Sequence, residues 1–348
     1  MTLERKIYPS LDVMKFIMAM LILMQHTCNE WAHSSGLIHS FFGMGNFAVP
    51  FFFSCSGFLF FTKLDMLDKD EQKSYYKKWS LRIGKKYLVW SLIYFVFVFI
   101  GWLDSGLSWR QPLGYLHKAI VFTTYATIWF LPALWVGVST CYWIREHCSQ
   151  KAMWITMLIM FIVGNLFGSY SNLLTINPRI KSFYDWYMSV FITWRNGLFN
   201  GAPYVFIGLL IADRGMTKVS ARTNLLLTIL FGGAFLVEAF LITHYRFSNA
   251  TDMGFMMAPA IFFLLNWLVQ VEVKQRDFWL HCRNISMLVF LGQRLFLSAL
   301  PGVVPGMKAW ILGLPEPFIY LFFIVVVLAF SLIIEGLSGR FKFLKILW

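Results

Sequence analysis

The chain has 348 residues, of which 58% are hydrophobic and only 14% charged, with a mean hydropathy of +0.63. No soluble domain of this length needs so much apolar surface, so composition excludes a soluble globular fold and points to an all-α, polytopic membrane protein. The net charge of +13 needs no nucleic-acid surface, because cations gathered on one side of a membrane explain it.

Apolar runs of about 17 to 25 residues predict ten transmembrane helices, near 11–28, 41–62, 83–103, 126–144, 152–168, 196–212, 223–243, 252–271, 284–300 and 317–336. The first contains LDVMKFIMAMLILMQH, with Lys15 and His26 eleven residues apart. Eleven steps of about 100° return almost to the starting direction, so the two share one helix face, roughly 16 Å apart along the axis. Burying such groups in hydrocarbon costs on the order of 3 kcal/mol unless a cavity or partner receives them. Counted from Leu11, His26 lies roughly 22 Å into a core of about 30 Å, and Lys15 lies near the opposite face. Taken singly, His26 also suits helix packing and Lys15 suits snorkelling to headgroups. Asp12 is placed to pair with Lys15 or to cap the helix.

The second span brings VPFFFSCSGFLFF, whose aromatic run reads as lipid-facing or packing surface. Its Ser54, Ser56 and Gly57 are of the size that lets helices approach closely. KKWSLRIGKK then sets Lys77, Lys78, Arg82, Lys85 and Lys86 at the entrance to the third span, as a topology-setting cluster or a phosphate-binding patch. The fifth and sixth spans are short, and Tyr184, Trp186 and Tyr187 between them suit a membrane interface. TWRNGLFNG opens the sixth span with Arg195 and Asn196. Glu238 and Arg294 fall within the seventh and ninth spans, opposite charges able to pair or to line a cavity.

An N-terminus in the cytoplasm places 21 of the 30 lysines and arginines inside, eight of them between Lys63 and Lys86. Seven lie outside, and Lys15 and Arg294 lie within spans. That bias predicts both termini in the cytoplasm. TCNEWAHSS, after the first apolar run, lacks an A-x-A cleavage site, so the run is expected to remain as a span. Five cysteines with no CxxC suggest neither a disulfide framework nor a metal site. The absence of a Walker loop, GxGxxG and HExxH argues against an ATP-driven pump or a nicotinamide enzyme. One membrane domain is expected to fill 1–348.

Five motifs in order carry a family resemblance: LDVMK-x10-H over residues 11–26, VPFFFSCSGFLF at 49–60, RIGKKY at 82–87, IWFLPAL at 128–134 and RNGLFNGAPYVFIG at 195–208. A weaker echo follows in RNISMLVFLGQRLF at 283–296. Together they resemble the acyltransferase-3 family of integral membrane acyltransferases, and within it the membrane part of the vancomycin-resistance serine racemases. The resemblance implies transfer of an acyl group, usually acetyl from cytoplasmic acetyl-CoA, to a hydroxyl of a glycan or other envelope acceptor across the inner (plasma) membrane. It maps the family's basic-residue-x10-His pair onto Lys15 and His26, and its basic loop onto Arg82 and its neighbours. Two departures stand out: Lys15 replaces the usual Arg and so lacks the bidentate fork that suits phosphate. Phe290 and Gln293 occupy positions where relatives often show Tyr and His.

The residues fit such chemistry on their own terms. Coenzyme A is a polyphosphate head on a long arm, so it needs cations at one mouth, here Lys15, Arg82, Lys85 and Lys86, and a reactive group deep within. An imidazole, with an ordinary pKa near 6.5, suits His26 to act as general base on the acceptor hydroxyl. An acyl-His26 intermediate is the variant. Ser54, Ser56 or Asn196 would donate to a developing oxyanion, and Arg195, Glu238 and Arg294 are candidate substrate contacts. Acyl-CoA is then a co-substrate, with no cofactor held permanently, and lipid and acceptor are the partners. The rival expectation is a transporter of a small zwitterion such as serine, held by the same intramembrane charges. A scaffold without chemistry would tolerate substitution of both Lys15 and His26.

Overall fold

In hydrocarbon every backbone N–H and C=O must find its partner within the segment, so the apolar runs fold as helices. A computed structural model describes residues 8–32, 43–214, 219–248 and 250–348, and among these there is no strand. The helices are α1 (Pro9–Thr27), α2 (Ala48–Leu64), α3 (Lys69–Asp104), α4 (Arg110–Val121), α5 (Phe130–His147), α6 (Gln150–Phe167), α7 (Pro178–Phe191) and α8 (Ala202–Arg214). They continue as α9 (Ala221–His244), α10 (Met257–Gln270), α11 (Asp277–Arg294), α12 (Leu300–Val303), α13 (Met307–Leu312) and α14 (Glu316–Leu337). Three π turns interrupt the α-helical pattern: Cys28–Ala32 after α1, Gly197–Gly201 before α8 and Leu295–Ala299 after α11.

Eight helices among the described residues are long and apolar enough to cross a membrane, where ten spans are expected from sequence. The expected sixth and eighth correspond to the shorter apolar helices Gly197–Asp213 and Met257–Gln270. The sixth coincides with the expected run and is simply short, whereas before the eighth a loop takes up residues 252–256 that the hydropathy pattern assigns to the span. The third span differs the other way, because nothing breaks the helix before it: α3 runs 36 residues and carries the whole basic stretch as a continuation of the shaft. The stretch 169–195 holds α7, with Trp186 exposed and Tyr187 buried. Residues 41 and 42 of the expected second span lie outside the described residues.

Burial ranks the spans. Two thirds of the α2 span and of the α11 span are buried, against 11% for α9, so α2 and α11 stand at the centre of the bundle and α9 at its lipid-facing rim. Since lipid tails are as apolar as leucine, close packing and not apolarity must hold the centre together. At the α2–α8 contact the backbones nearly touch. A Cβ on Gly57 would lie 2.5 Å from the Val205 carbonyl, and one on Gly208 would lie 2.1 Å from the Ser54 carbonyl. The aromatic run of α2 faces inward, with Phe51, Phe52, Phe53, Phe60 and Phe61 all buried.

Candidate active site

His26 stands at the end of α1, and the ends of α1, α2, α5, α8 and α11 that gather around it are on one side of the bundle. They surround a cavity of about 540 Å³ lined by both polar and apolar side chains. α1 and its π turn contribute Gln25, His26, Asn29 and Glu30; the segment around α4 and the start of α5 contributes Lys118, Phe122, Thr127 and Trp129. Arg195 and Asn200 come from the approach to α8, Asp252 from the loop before α10, and Phe290 and Arg294 from α11. His26, Arg195 and Arg294, far apart in sequence, therefore meet.

Two ion pairs cross this cavity. Arg294 pairs with Glu30, tying α11 to the π turn after α1. Arg195 Nε meets Asp252 Oδ2 at 2.5 Å, tying the approach to α8 to the loop before α10. Gln25 donates to Asn46 Oδ1 at 2.5 Å, and Asn46 donates on to the Thr251 carbonyl at 3.1 Å, which closes the ring of elements. His26 Nδ1 lies 3.1 Å from Gln293 Oε1. Each π turn touches this one region: His26 stands two residues before the first, Arg294 immediately precedes another, and Asn200 lies within the third. Such turns occur often at functional sites.

The expected pairing of Glu238 with Arg294 is not what the structure has. Glu238 accepts from the Phe255 and Met256 backbone N–H groups at 2.7 and 2.9 Å and from the Tyr170 hydroxyl at 2.6 Å. It braces the loop that presents Asp252, and does not line the cavity. Burial and this carboxylate push the Tyr170 phenol well above its ordinary range. Asn196 is also structural: its Oδ1 accepts from the Leu198 and Phe199 N–H groups, capping the π turn, while its Nδ2 donates to the Tyr187 hydroxyl. Neither of the expected oxyanion donors on α2 is among the residues that line the cavity. The Ser54 hydroxyl donates to the Tyr204 carbonyl at 2.8 Å across the α2–α8 contact, and Ser56, half-buried, is on the same shaft.

At the other end of α1, Lys15 pairs with Asp12 at 3.3 Å. Arg82 and Lys85 are exposed on α3, while Lys86 is buried and has no carboxylate within ion-pair distance among the described residues. None of the three reaches Lys15 by hydrogen bond or ion pair. Sequence reading missed Glu30, Asp252, Asn200 and Thr127. Glu30 alone had a signal, since it stands four residues beyond His26, one helical turn on.

A membrane-spanning bundle with a histidine-bearing cavity defines an integral membrane protein built for chemistry or passage within the bilayer. Comparison with known families makes the class specific: residues 8–336 match the acyltransferase domain of the acyltransferase-3 type, and the chain belongs to that family. It is a multi-pass membrane protein of that family. Among curated relatives, an amino-acid racemase of Enterococcus faecalis is 24% identical over 282 residues, covering 77% of this chain and 37% of the relative. A serine/alanine racemase of Enterococcus gallinarum is 23% identical over 245 residues, covering 70% and 34%. The chain thus spans about a third of the length of these relatives. No solved structure matches it.

Proposed function

We propose that this acyltransferase moves an acyl group, acetyl in the simplest case, from cytoplasmic acyl-CoA to a hydroxyl of a glycan or other envelope acceptor on the far side of the inner membrane. The observation that carries this reading is a set of unpartnered polar atoms around His26. Of the eight buried side-chain nitrogen and oxygen atoms without a hydrogen bond among the described residues, four belong to the cavity wall: Thr127 Oγ1, Asn200 Oδ1, Asp252 Oδ1 and Arg294 Nε. Each such atom costs about 1–3 kcal/mol while it lacks a partner, so the packing behind this wall leaves both donors and acceptors unsatisfied beside the cavity. A polyhydroxyl compound both donates and accepts, and Trp129, Phe122 and Phe290 offer apolar faces for the carbon side of a sugar ring.

Lysine and arginine counts orient the cavity outward and Lys15, Arg82, Lys85 and Lys86 inward, where they meet the phosphates of the donor. Arg82 and Lys85 are exposed on α3 for this role, while Lys86 is buried with no carboxylate within ion-pair distance among the described residues. The pantetheine arm then carries the thioester up along α1. His26 takes the proton of the acceptor hydroxyl as its oxygen attacks the thioester carbon; the C–S bond breaks, and the coenzyme A thiolate takes the proton back from the imidazolium. Acyl-CoA is a co-substrate, with no permanently held cofactor.

The test is transfer of labelled acetyl from acetyl-CoA by purified protein in liposomes supplied with envelope extract, compared with His26→Ala and Lys15→Ala at equal folding. The reading expects label on the extract, abolished by His26→Ala and weakened at low donor concentration by Lys15→Ala. Retention of near-normal transfer by His26→Ala refutes it. A second reading, passage of a zwitterionic amino acid, draws support from the two ion pairs open to the cavity and from the names of the racemase relatives. Uptake of chemically unchanged serine into the same liposomes, with no label moved, would favour it.

A further inference from the structure

We infer that Gln293 is a positioning residue that fixes which nitrogen of His26 faces the acceptor. The inference rests on His26 serving as the base. Gln293 is completely buried on α11, one residue before Arg294. Its Nε2 donates to the Phe290 carbonyl, three residues back on the same helix, at 3.0 Å. That bond settles which way the amide points. Turning it over would set Oε1 against the carbonyl oxygen of Phe290, two acceptors face to face, and would leave that carbonyl without its extra donor. Oε1 therefore points at His26 Nδ1, 3.1 Å away.

An amide oxygen can only accept, so Nδ1 must carry the proton. A neutral imidazole protonated at Nδ1 has its lone pair on Nε2. Since Gln293 occupies the Nδ1 edge and His26 lines the cavity, Nε2 is the nitrogen left to meet the acceptor hydroxyl. The backbone that holds Gln293 is itself gripped: the Phe290 ring packs against Phe52 and Phe130, with centroids 5.1 and 5.3 Å apart. During transfer the Nε2 lone pair accepts the hydroxyl proton and Nδ1 keeps its own. The imidazolium then returns the Nε2 proton to the departing thiolate, and Gln293 ends unchanged. A neutral acceptor orients the ring without adding a third carboxylate beside Glu30 and Asp252.

The full-length protein, labelled with 15N-histidine in lipid nanodiscs, tests this directly. The His26 signals are picked out among the seven histidines by subtracting the His26→Gln spectrum. The wild type should show one neutral form, protonated at Nδ1. Gln293→Leu should show the Nε2-protonated form or a mixture, and kcat should fall about 10- to 100-fold with the acceptor KM little changed, the usual effect of removing a partner that orients a reactive group. Gln293→Glu, with its buried carboxyl protonated on the oxygen that donates to the Phe290 carbonyl and its other oxygen accepting from Nδ1, should restore the Nδ1-protonated form and most of the rate. If Gln293→Leu does not fold, Gln293→Met of similar length takes its place. A folded variant lacking the amide that still holds His26 protonated at Nδ1, with unchanged kcat, overturns the inference. A wild type protonated at Nδ1, with no acyl transfer under any condition, supports the tautomer assignment and overturns the acyl-transfer reading instead.

Discussion

Gly208→Ala is expected to destabilise the bundle by about 2–4 kcal/mol, although it adds a single methyl group. The new Cβ would sit 2.1 Å from the Ser54 carbonyl oxygen and 2.4 Å from the Phe58 nitrogen, both backbone atoms that no side-chain rotation can clear. Reaching an ordinary contact of 3.4 Å means moving α2 and α8 apart by about 1.3 Å. The Ser54 hydroxyl, now 2.8 Å from the Tyr204 carbonyl, would lose that bond, worth about 1 kcal/mol, and the rest is the about 1–3 kcal/mol typical of overpacking. Gly233→Ala is the control, because a Cβ there meets nothing within 4 Å and alanine favours helix by about 0.5–1 kcal/mol. Thermal unfolding of the two variants in one detergent, followed by loss of monodisperse protein, makes the comparison. Equal midpoints for Gly208→Ala and Gly233→Ala would refute the claim that backbone contact between α2 and α8 holds the centre.

Asn200→Ala should raise the acceptor KM about 2- to 13-fold with kcat little changed, because one hydrogen bond of about 0.5–1.5 kcal/mol to the acceptor is removed; steady-state transfer kinetics decide it. Glu238→Gln should lower stability by about 1–3 kcal/mol, since an amide NH2 must then face either the Met256 or the Phe255 N–H and leave a donor unpaired. A melt of that variant beside Tyr170→Phe separates loss of the brace from loss of the phenol bond. Ile192→Gly should stabilise by about 1 kcal/mol. Ile192 has φ 66°, ψ −33° in a tight turn closed by Thr193 N–H on the Phe191 carbonyl, a strained conformation for a β-branched residue that glycine adopts freely.

The parts of this molecule that sequence made legible are those set by local chemistry. Each expected apolar run has its helix, because hydrocarbon leaves the backbone no alternative, and Lys15, His26, Arg195 and Arg294 stood out because a charge among apolar neighbours is costly. The partners that relieve that cost were hidden by distance along the chain. Asp252 pairs with an arginine 57 positions earlier, and Arg294 chooses Glu30 over Glu238, a choice that only packing of α11 on α1 decides. Asn196 misled for a related reason: a polar residue at a span entrance reads equally as a substrate donor or as a cap, and the turn it caps is not an ordinary helical one. Ser54 likewise spends its hydroxyl on a neighbouring helix whose contact no periodicity reveals.

A π turn holds one residue more than the α-helical turn it replaces, so the shafts on its two sides are out of step. Deleting one residue from Cys28–Ala32, Gly197–Gly201 or Leu295–Ala299 would restore an even winding there and swing the far segment by about 100° while the span below kept its seat. Glu30 would leave Arg294, or Asn200 would leave the cavity, and only the contacts made by the turns themselves, such as Trp31 on Phe323, would shift with them. Insertions and deletions confined to these three rims are thus a means of re-cutting the cavity on an unchanged trunk, with changes in length where other sites change by substitution.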